Sequence, residues 1–448
     1  MSRIRLGLYA MPPASHHSVA TWKLARNAPG SLAWDRLALY RETARLAEQG
    51  RFDFVFSADA NGIYDAFGGS PEAAIRHALQ VPCFDATTLM TALGAVTEHV
   101  GVIATQSIMG VQPYITARQF ATLDHLTGGR AGWNVVTTAT NQTAANLGLD
   151  GAIPHDTRYD MADEYVEVCR ALWASWDEYA VVRDVEGDVF ADPAKVHAIN
   201  HVGRYYRSKG PLNVHRSPQN GPFLVQAGSS PRGRASAARF AEGIFSIQPT
   251  VAGMKAYRDD LRARAEAAGR DPDSIRVFHS IQPFVGETEA IAREQLEQHN
   301  ALVPPEAGLA LLAGHMGVDL STYPPGTPVN AITDAPGTQS LATTYAGRDD
   351  VTIGELGAFY GRTVLSPQVA GTAVQVADWL EATFDEAGGD GFMLSPVTLP
   401  GALADFVELV VPELQRRGRV REQYAPGATL RALIAEEGVR PGVDAAVA

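Results

Sequence analysis

The sequence predicts an α/β chain, a (β/α)8 TIM barrel with long insertions, on three observations. Short apolar runs alternate eight times with amphipathic helical stretches, the pattern of a parallel sheet closed through crossover helices. The run Leu126-Thr127-Gly128-Gly129-Arg130-Ala131-Gly132-Trp133-Asn134-Val135-Val136-Thr137-Thr138 stops a helix on two glycines, continues as a β-rich segment and ends in hydroxyls rather than in a turn. Read as one extended strand, it puts Asn134, Val136 and Thr138 on one face and Trp133, Val135 and Thr137 on the other. Polar groups on a buried strand fit a barrel, where polar residues gather at the C-terminal mouth.

Taken in order, Ile4–Ala10 reads as the first strand and Trp34–Gln49 as its helix, stopped by Gly50. Phe52–Ser57 is the second strand, followed closely by Asp59. Ala86–Glu98 is a helix, Val100–Ser107 the third strand, and Tyr114–Leu126 the helix that leads into the fourth. Phe223–Ala227, Gly243–Ile247, Arg276–Val285 and Gly391–Ser395 supply the other four strands, with helices near Arg232–Ala241, Met254–Ala268, Glu287–Asn300 and Leu403–Arg416. The chain reads as a single domain over residues 1–448, with insertions near 61–82, 176–222 and 303–351. The last, rich in Pro and Gly, reads as a lid or wall over the barrel mouth, because a bare eight-stranded barrel has a filled interior and builds its pocket from loops. The plainer alternative is a surface excursion.

Hydrophobic residues at 46% and charged residues at 19% suffice for a large core and argue against disorder. A net charge of −13 with no Lys/Arg run disfavours a nucleic-acid partner. Two cysteines, Cys83 and Cys169, cannot form a disulfide framework, and a reducing cytoplasm is the simplest home. The apolar run Ile4–Met11 is broken by Arg5 and leads to Pro12-Pro13, so it lacks the form of a signal peptide, and no stretch has the length and apolarity of a membrane span.

Residues able to carry chemistry sit where strands end. Gln226-Ala227-Gly228-Ser229-Ser230-Pro231-Arg232-Gly233 closes a strand, turns on a glycine and opens a helix. Its free N–H groups and hydroxyls suit a phosphate dianion; equally, Ser229 or Ser230 merely caps the helix. Pro154-His155-Asp156-Thr157-Arg158-Tyr159 also opens a helix, with His155 and Tyr159 one turn apart and able to reach one ligand, or else structural. For Asp59 the competing role is a helix or turn cap. His16, His17 and Trp22 follow the first strand in what reads as a solvated loop. A metal-dependent hydrolase would use such histidines, but adjacent histidines point apart and no His-x-His or His-Glu-x-x-His pattern is present, so no metal site is assigned. No strand is followed by Gly-x-Gly-x-x-Gly. No residue stands out as a catalytic acid or base.

Together with Ala95-Val96-Thr97-Glu98-His99-Val100-Gly101 and Val411-Pro412-Glu413-Leu414-Gln415-Arg416-Arg417-Gly418, these stretches resemble the nitrilotriacetate monooxygenase group. This branch of the bacterial luciferase-like superfamily includes dibenzothiophene-sulfone and EDTA monooxygenases. The resemblance covers nearly the whole chain. It implies a barrel that takes up FMN already reduced and uses dioxygen to oxidise a small organic substrate, by C–N or C–S cleavage or by hydroxylation. It also implies a homo-oligomer. With no dinucleotide-binding domain visible, a separate NAD(P)H:flavin reductase is the expected partner, making this the oxygenase half of a two-component system. Carried over by position, the flavin contacts are Asp59, Thr105, His155, Tyr159 and Ser230; strand-end geometry adds Asn134, Thr138 and Ser229. Related barrels that bind FMN or a deazaflavin for hydride transfer are the alternative. The resemblance leaves the substrate open.

Overall fold

The computed structural model describes residues 3–11, 15, 17–24, 34–138, 140–228, 230–332 and 350–435. Eight parallel strands close in sequence order: β1 (Arg5–Tyr9), β2 (Phe54–Ser57), β3 (Gly101–Ser107), β4 (Ala131–Val136), β5 (Phe223–Gln226), β6 (Gly243–Ser246), β7 (Arg276–Val285) and β8 (Gly391–Leu394). Phe278 pairs with Gly391 across β7 and β8, and Leu8 with Leu394 across β8 and β1, which completes the barrel. Each strand lies close to its expected bounds.

The period of two sorts the side chains. Phe54, Phe56, Ile103, Phe223, Val225, Phe245, Phe278 and Met393 fill the interior, where the Phe54 and Phe278 rings meet edge to face at 4.9 Å. Gly7 is required there, because a Cβ would lie 2.2 Å from the Phe54 ring. The opposite faces pack on the outer helices. Trp133 is fully buried with its ring centroid 5.4 Å from Phe120 and 5.9 Å from Tyr165, as the alternation along β4 requires. Cys169 lies in the same shell as a small core residue. At the start of β4, Gly128 (φ 64°) and Gly129 (φ 91°) turn the chain out of helix Pro113–Leu126. Buried Arg130 then donates to the carbonyls of Gly94, Thr97, Val100 and Thr127. These bonds explain why this stretch carries an arginine among apolar residues.

The floor of the barrel is closed by Leu430 and Ile434. Beneath it Asp53 lies between Arg3 (Nη2 to Oδ1, 3.1 Å) and Arg421 (2.6 Å) and accepts the Leu6 N–H at 2.8 Å.

Between the strands the structure has elements beyond those expected. Within 303–351 the structure has helix Pro305–Met316, where a Pro- and Gly-rich lid or wall was read. It packs against helix Ile353–Thr363 so closely that a Cβ on Gly308 would lie 2.2 Å from the Gly357 carbonyl oxygen. The helix escaped notice because it is apolar nearly all round, covered from both sides, and so shows little periodicity. Residues 333–349 of this segment lie outside the described residues. Strand Gln368–Gly371, which extends from β7, and helix Ala373–Ala387 were also missed. The expected helix Leu403–Arg416 is present and widens into a π turn at Phe406–Val410 without interruption. Residues 176–222 hold two small hairpins, Val181–Asp184 with Val189–Ala191 and His201–Val202 with Arg207–Ser208. Among the described residues no helix is long and apolar enough to cross a membrane.

Candidate active site

Polar side chains reach the inner face toward the C-terminal ends of β3 and β4. Thr105 on β3 and Asn134 on β4 are register partners, and Asn134 Nδ2 donates to Thr105 Oγ1 at 2.9 Å. Asn134 Oδ1 is buried without a hydrogen-bond partner, an acceptor that the fold itself leaves open. One part of the β4 reading fails. The strand ends at Val136, and Thr138 adopts φ 36°, so it does not continue the Asn134 face as an extended residue. Its hydroxyl instead donates to Ser107 Oγ at 2.7 Å, which keeps it on the rim. Thr137, assigned by alternation to the outside, comes beside the Tyr159 phenol. The left-handed turn breaks the period-two rule at the point where the strand becomes a loop.

A second group lies where helices His155–Trp173 and Pro231–Phe240 begin. The His155 and Tyr159 rings meet edge to face at 5.0 Å, and His155 Nδ1 is 2.7 Å from Asp156 Oδ1. Ser230 is the helix cap, accepting the Gly233 N–H at 3.0 Å, so the plainer reading of that serine is met. The Tyr159 oxygen lies over the same turn: a Cβ on Gly233 would be 2.8 Å from it. Burial pushes the Tyr159 phenol up, against hydrogen bonds with Ser230 and Thr137 and the charges of Arg158 and Arg232. Ser229 lies outside the described residues.

Asp59 also meets its structural alternative, because Oδ2 accepts the Ala86 N–H at 3.1 Å at the start of helix Ala86–Gly94. Burial raises its carboxyl to about 6, helped by Asp85 and opposed by the Ala86 N–H. The folded protein thus holds a proton that the unfolded chain releases near pH 4. Stability tied to Asp59 therefore falls as pH rises through 4 to 6 and stays lost above. In denaturant titrations between pH 4 and 8, Asp59→Asn removes this fall, and its unfolding midpoint gains on wild type as pH rises.

Several residues of the region were not singled out from the sequence. Arg158 sits inside the quoted Pro154–Tyr159 stretch and is only 3% exposed. Its Nη1 donates to the Ile153 carbonyl at 2.6 Å, Nε has no partner, and among the described residues no carboxylate pairs with it. Burial lowers its pKa. His17, read as part of a solvated loop, is buried with Nδ1 3.1 Å from Ser395 Oγ and its ring 4.4 Å from Tyr9. His16 lies outside the described residues, and Trp22 is exposed. His315, on the helix within 303–351, has Nε2 3.0 Å from the Tyr64 hydroxyl and Nδ1 2.5 Å from that of Tyr360. A cavity of about 480 Å³ is lined by Tyr64 after β2, Thr140 and Asn141 after β4, His155, Arg158 and Gly314, while Asp59 and Thr105 line another, of about 930 Å³.

Fold and site together define a (β/α)8-barrel enzyme whose cavity lies between the mouth and a helical cover, with a buried cation in its wall that no carboxylate among the described residues pairs. The chain belongs to the luciferase-like monooxygenase family, whose profile matches residues 18–391. It is 42% identical over 400 residues to dibenzothiophene-sulfone monooxygenase of Rhodococcus erythropolis, covering 88% of each chain. It is 39% identical over 400 residues to nitrilotriacetate monooxygenase component A of Aminobacter aminovorans, again covering 88% of each. Among solved structures it resembles a riboflavin lyase with modified FMN and riboflavin, at a TM-score of 0.89 and 35% identity, over 97% of this chain and 96% of that one.

Proposed function

We propose that this monooxygenase binds FMN in reduced form at the barrel mouth and uses dioxygen to oxidise a small organic substrate. The observation that carries the cofactor reading is Arg158, a buried guanidinium with no carboxylate partner among the described residues, beside a helix start and two aromatic side chains. A group in that state calls for a bound anion. The residues present fit FMN. Arg158, Ser230, Ser229, Tyr159 and His155 would hold the phosphate end, where N–H groups of the helix start also favour negative charge. Asn134, with its open Oδ1, and Thr105, Thr138 and Asp59 would face the ring system. Reduced flavin supplies the electrons that let dioxygen deliver one atom to the substrate while the other leaves as water. The chain's part is to orient both reactants and to keep water from the reacting atoms, which gives the Pro305–Met316 and Ile353–Thr363 helices over the mouth their use.

A separate NAD(P)H:flavin reductase is the proposed source of reduced FMN. The word "component" in the name of the Aminobacter relative supports it, as does the lack of a Gly-x-Gly-x-x-Gly strand turn. On the family resemblance we read the enzyme as a homo-oligomer, its chain one domain with three insertions, working in the cytoplasm. The test is anaerobic titration of the purified protein with reduced FMN, followed by rapid mixing with oxygenated buffer. Tight binding, then a lag before the oxidised flavin spectrum returns, is expected. Failure to bind FMN in either redox state sinks the cofactor reading. Binding with reoxidation as fast as that of free flavin favours hydride transfer instead.

A further inference from the structure

The insertion 176–222 carries an apolar surface that the fold leaves uncovered. Six of the fifteen large apolar residues that stand exposed among the described residues fall within it: Tyr179, Val182, Val185, Val189, Phe190 and Val202, with Val185 at 91% and Phe190 at 67%. Apolar residues scattered singly over a surface need no explanation, but a cluster marks an interaction site. Every residue from 182 to 190 is exposed, so the hairpin Val181–Asp184 with Val189–Ala191 is covered on neither face. A two-stranded ribbon of this kind is marginally stable in water by itself. The six side chains expose on the order of 700 Å², close to the roughly 800 Å² that each partner buries in a standard interface.

Charge identifies what covers it. The first hairpin and the residues leading into it bear Glu178, Asp184, Glu186 and Asp188 against Arg183, all exposed. The second hairpin, His201–Val202 with Arg207–Ser208, bears Arg204, Arg207 and Lys209, all exposed, and no carboxylate from 201 to 209. The acid–imidazole contacts formed here join Asp177 to His197 and Glu164 to His201, and among the described residues no ion pair joins the two hairpins. Both are rooted just beyond helix His155–Trp173, where the Asp177 N–H donates to the Lys195 carbonyl at 2.9 Å and the Leu212 N–H to Ser175 Oγ at 3.0 Å. They therefore leave the barrel from one place. A chain of net charge −13 repels its copies, and like hairpins set face to face would add to that repulsion. Turned crosswise about a two-fold axis, each acidic hairpin meets a basic one, and both contacts form at once. We propose that the two hairpins form a self-complementary interface with a second copy of this chain, burying the apolar side chains between opposite charges. This gives a surface to the homo-oligomer read above and rests on that reading.

The test is sedimentation velocity of the full chain over a range of micromolar concentrations. Wild type is expected to sediment as a dimer or a larger even-numbered assembly. One variant carries Glu178→Lys with Glu186→Lys, the other Arg207→Glu with Lys209→Glu. Each sets like charges against each other in both contacts and should weaken the association by about a hundredfold. Mixing the two variants should restore it, because in the mixed pair each contact again joins opposite charges. A variant that had merely misfolded gains nothing from such mixing. Wild type that stays monomeric throughout overturns the proposal together with the homo-oligomer reading. A wild-type oligomer that both variants leave intact overturns the interface alone. Folded variants that dissociate and stay apart when mixed overturn it as well, since crosswise pairing requires the rescue.

Discussion

Arg158→Met raises the Kd for reduced FMN by about a hundredfold, while leaving the flavin-free protein as stable as wild type or more so. The two halves of this result have one cause. In the flavin-free chain Arg158 is a buried cation whose Nη1 holds the Ile153 carbonyl and whose Nε holds nothing. Its desolvation is therefore uncompensated, and an apolar side chain of similar length removes that cost. When the phosphate arrives, the same guanidinium makes charge-assisted bonds in a dry site, where such bonds are strongest. Fluorescence quenching of FMN gives the first quantity and a denaturant titration the second. A variant that binds FMN normally, or one that loses affinity only because it is unfolded, would show that Arg158 is a structural residue and not the phosphate anchor.

Asp53→Asn costs about 3–5 kcal/mol of stability, because it removes the carboxylate shared by buried guanidinium groups at the barrel floor. Burial alone would raise the Asp53 pKa, but the charges of Arg3, Arg421 and Arg5 and the Leu6 N–H prevail and hold it below the usual range. The sign of the pH dependence follows. A depressed carboxyl contributes its full stability above the unfolded value near 4 and loses it as pH falls through the folded value. Wild type should therefore lose stability on acidification in a limb that Asp53→Asn lacks. Urea titrations at neutral and acid pH measure both effects. Adding Arg421→Met to Asp53→Asn should recover part of the loss, since the two residues are in contact at 2.6 Å.

The strands were legible because each is a short apolar run bounded by turn residues, and because Trp133 and Asn134 sit on adjacent positions with opposite fates. The phosphate end was legible in part: Ser230 and Tyr159 were marked by their place at helix starts, and the structure brings them over one turn of Gly233. Arg158 stands in the same stretch, with nothing local to mark it. Nothing in one sequence says whether an arginine beside an aspartate-rich helix finds a carboxylate. His17 looked like loop, since two adjacent histidines after a strand give no sign of the serine and tyrosine that enclose one of them. The helix bearing His315 was hidden by its own burial, which erased the amphipathic stripe that marks a helix on a surface.

The sequence by itself determined the barrel, the order of its strands, and the residues of the β4 and helix-start motifs, because those depend on periodicities and turn chemistry that act over a few neighbouring positions. Only the tertiary structure decided which buried polar atoms are left without partners among the described residues, Asn134 Oδ1 and Arg158 Nε being two of them. Whether a donor or a charge is satisfied depends on what folds across it from elsewhere in the chain.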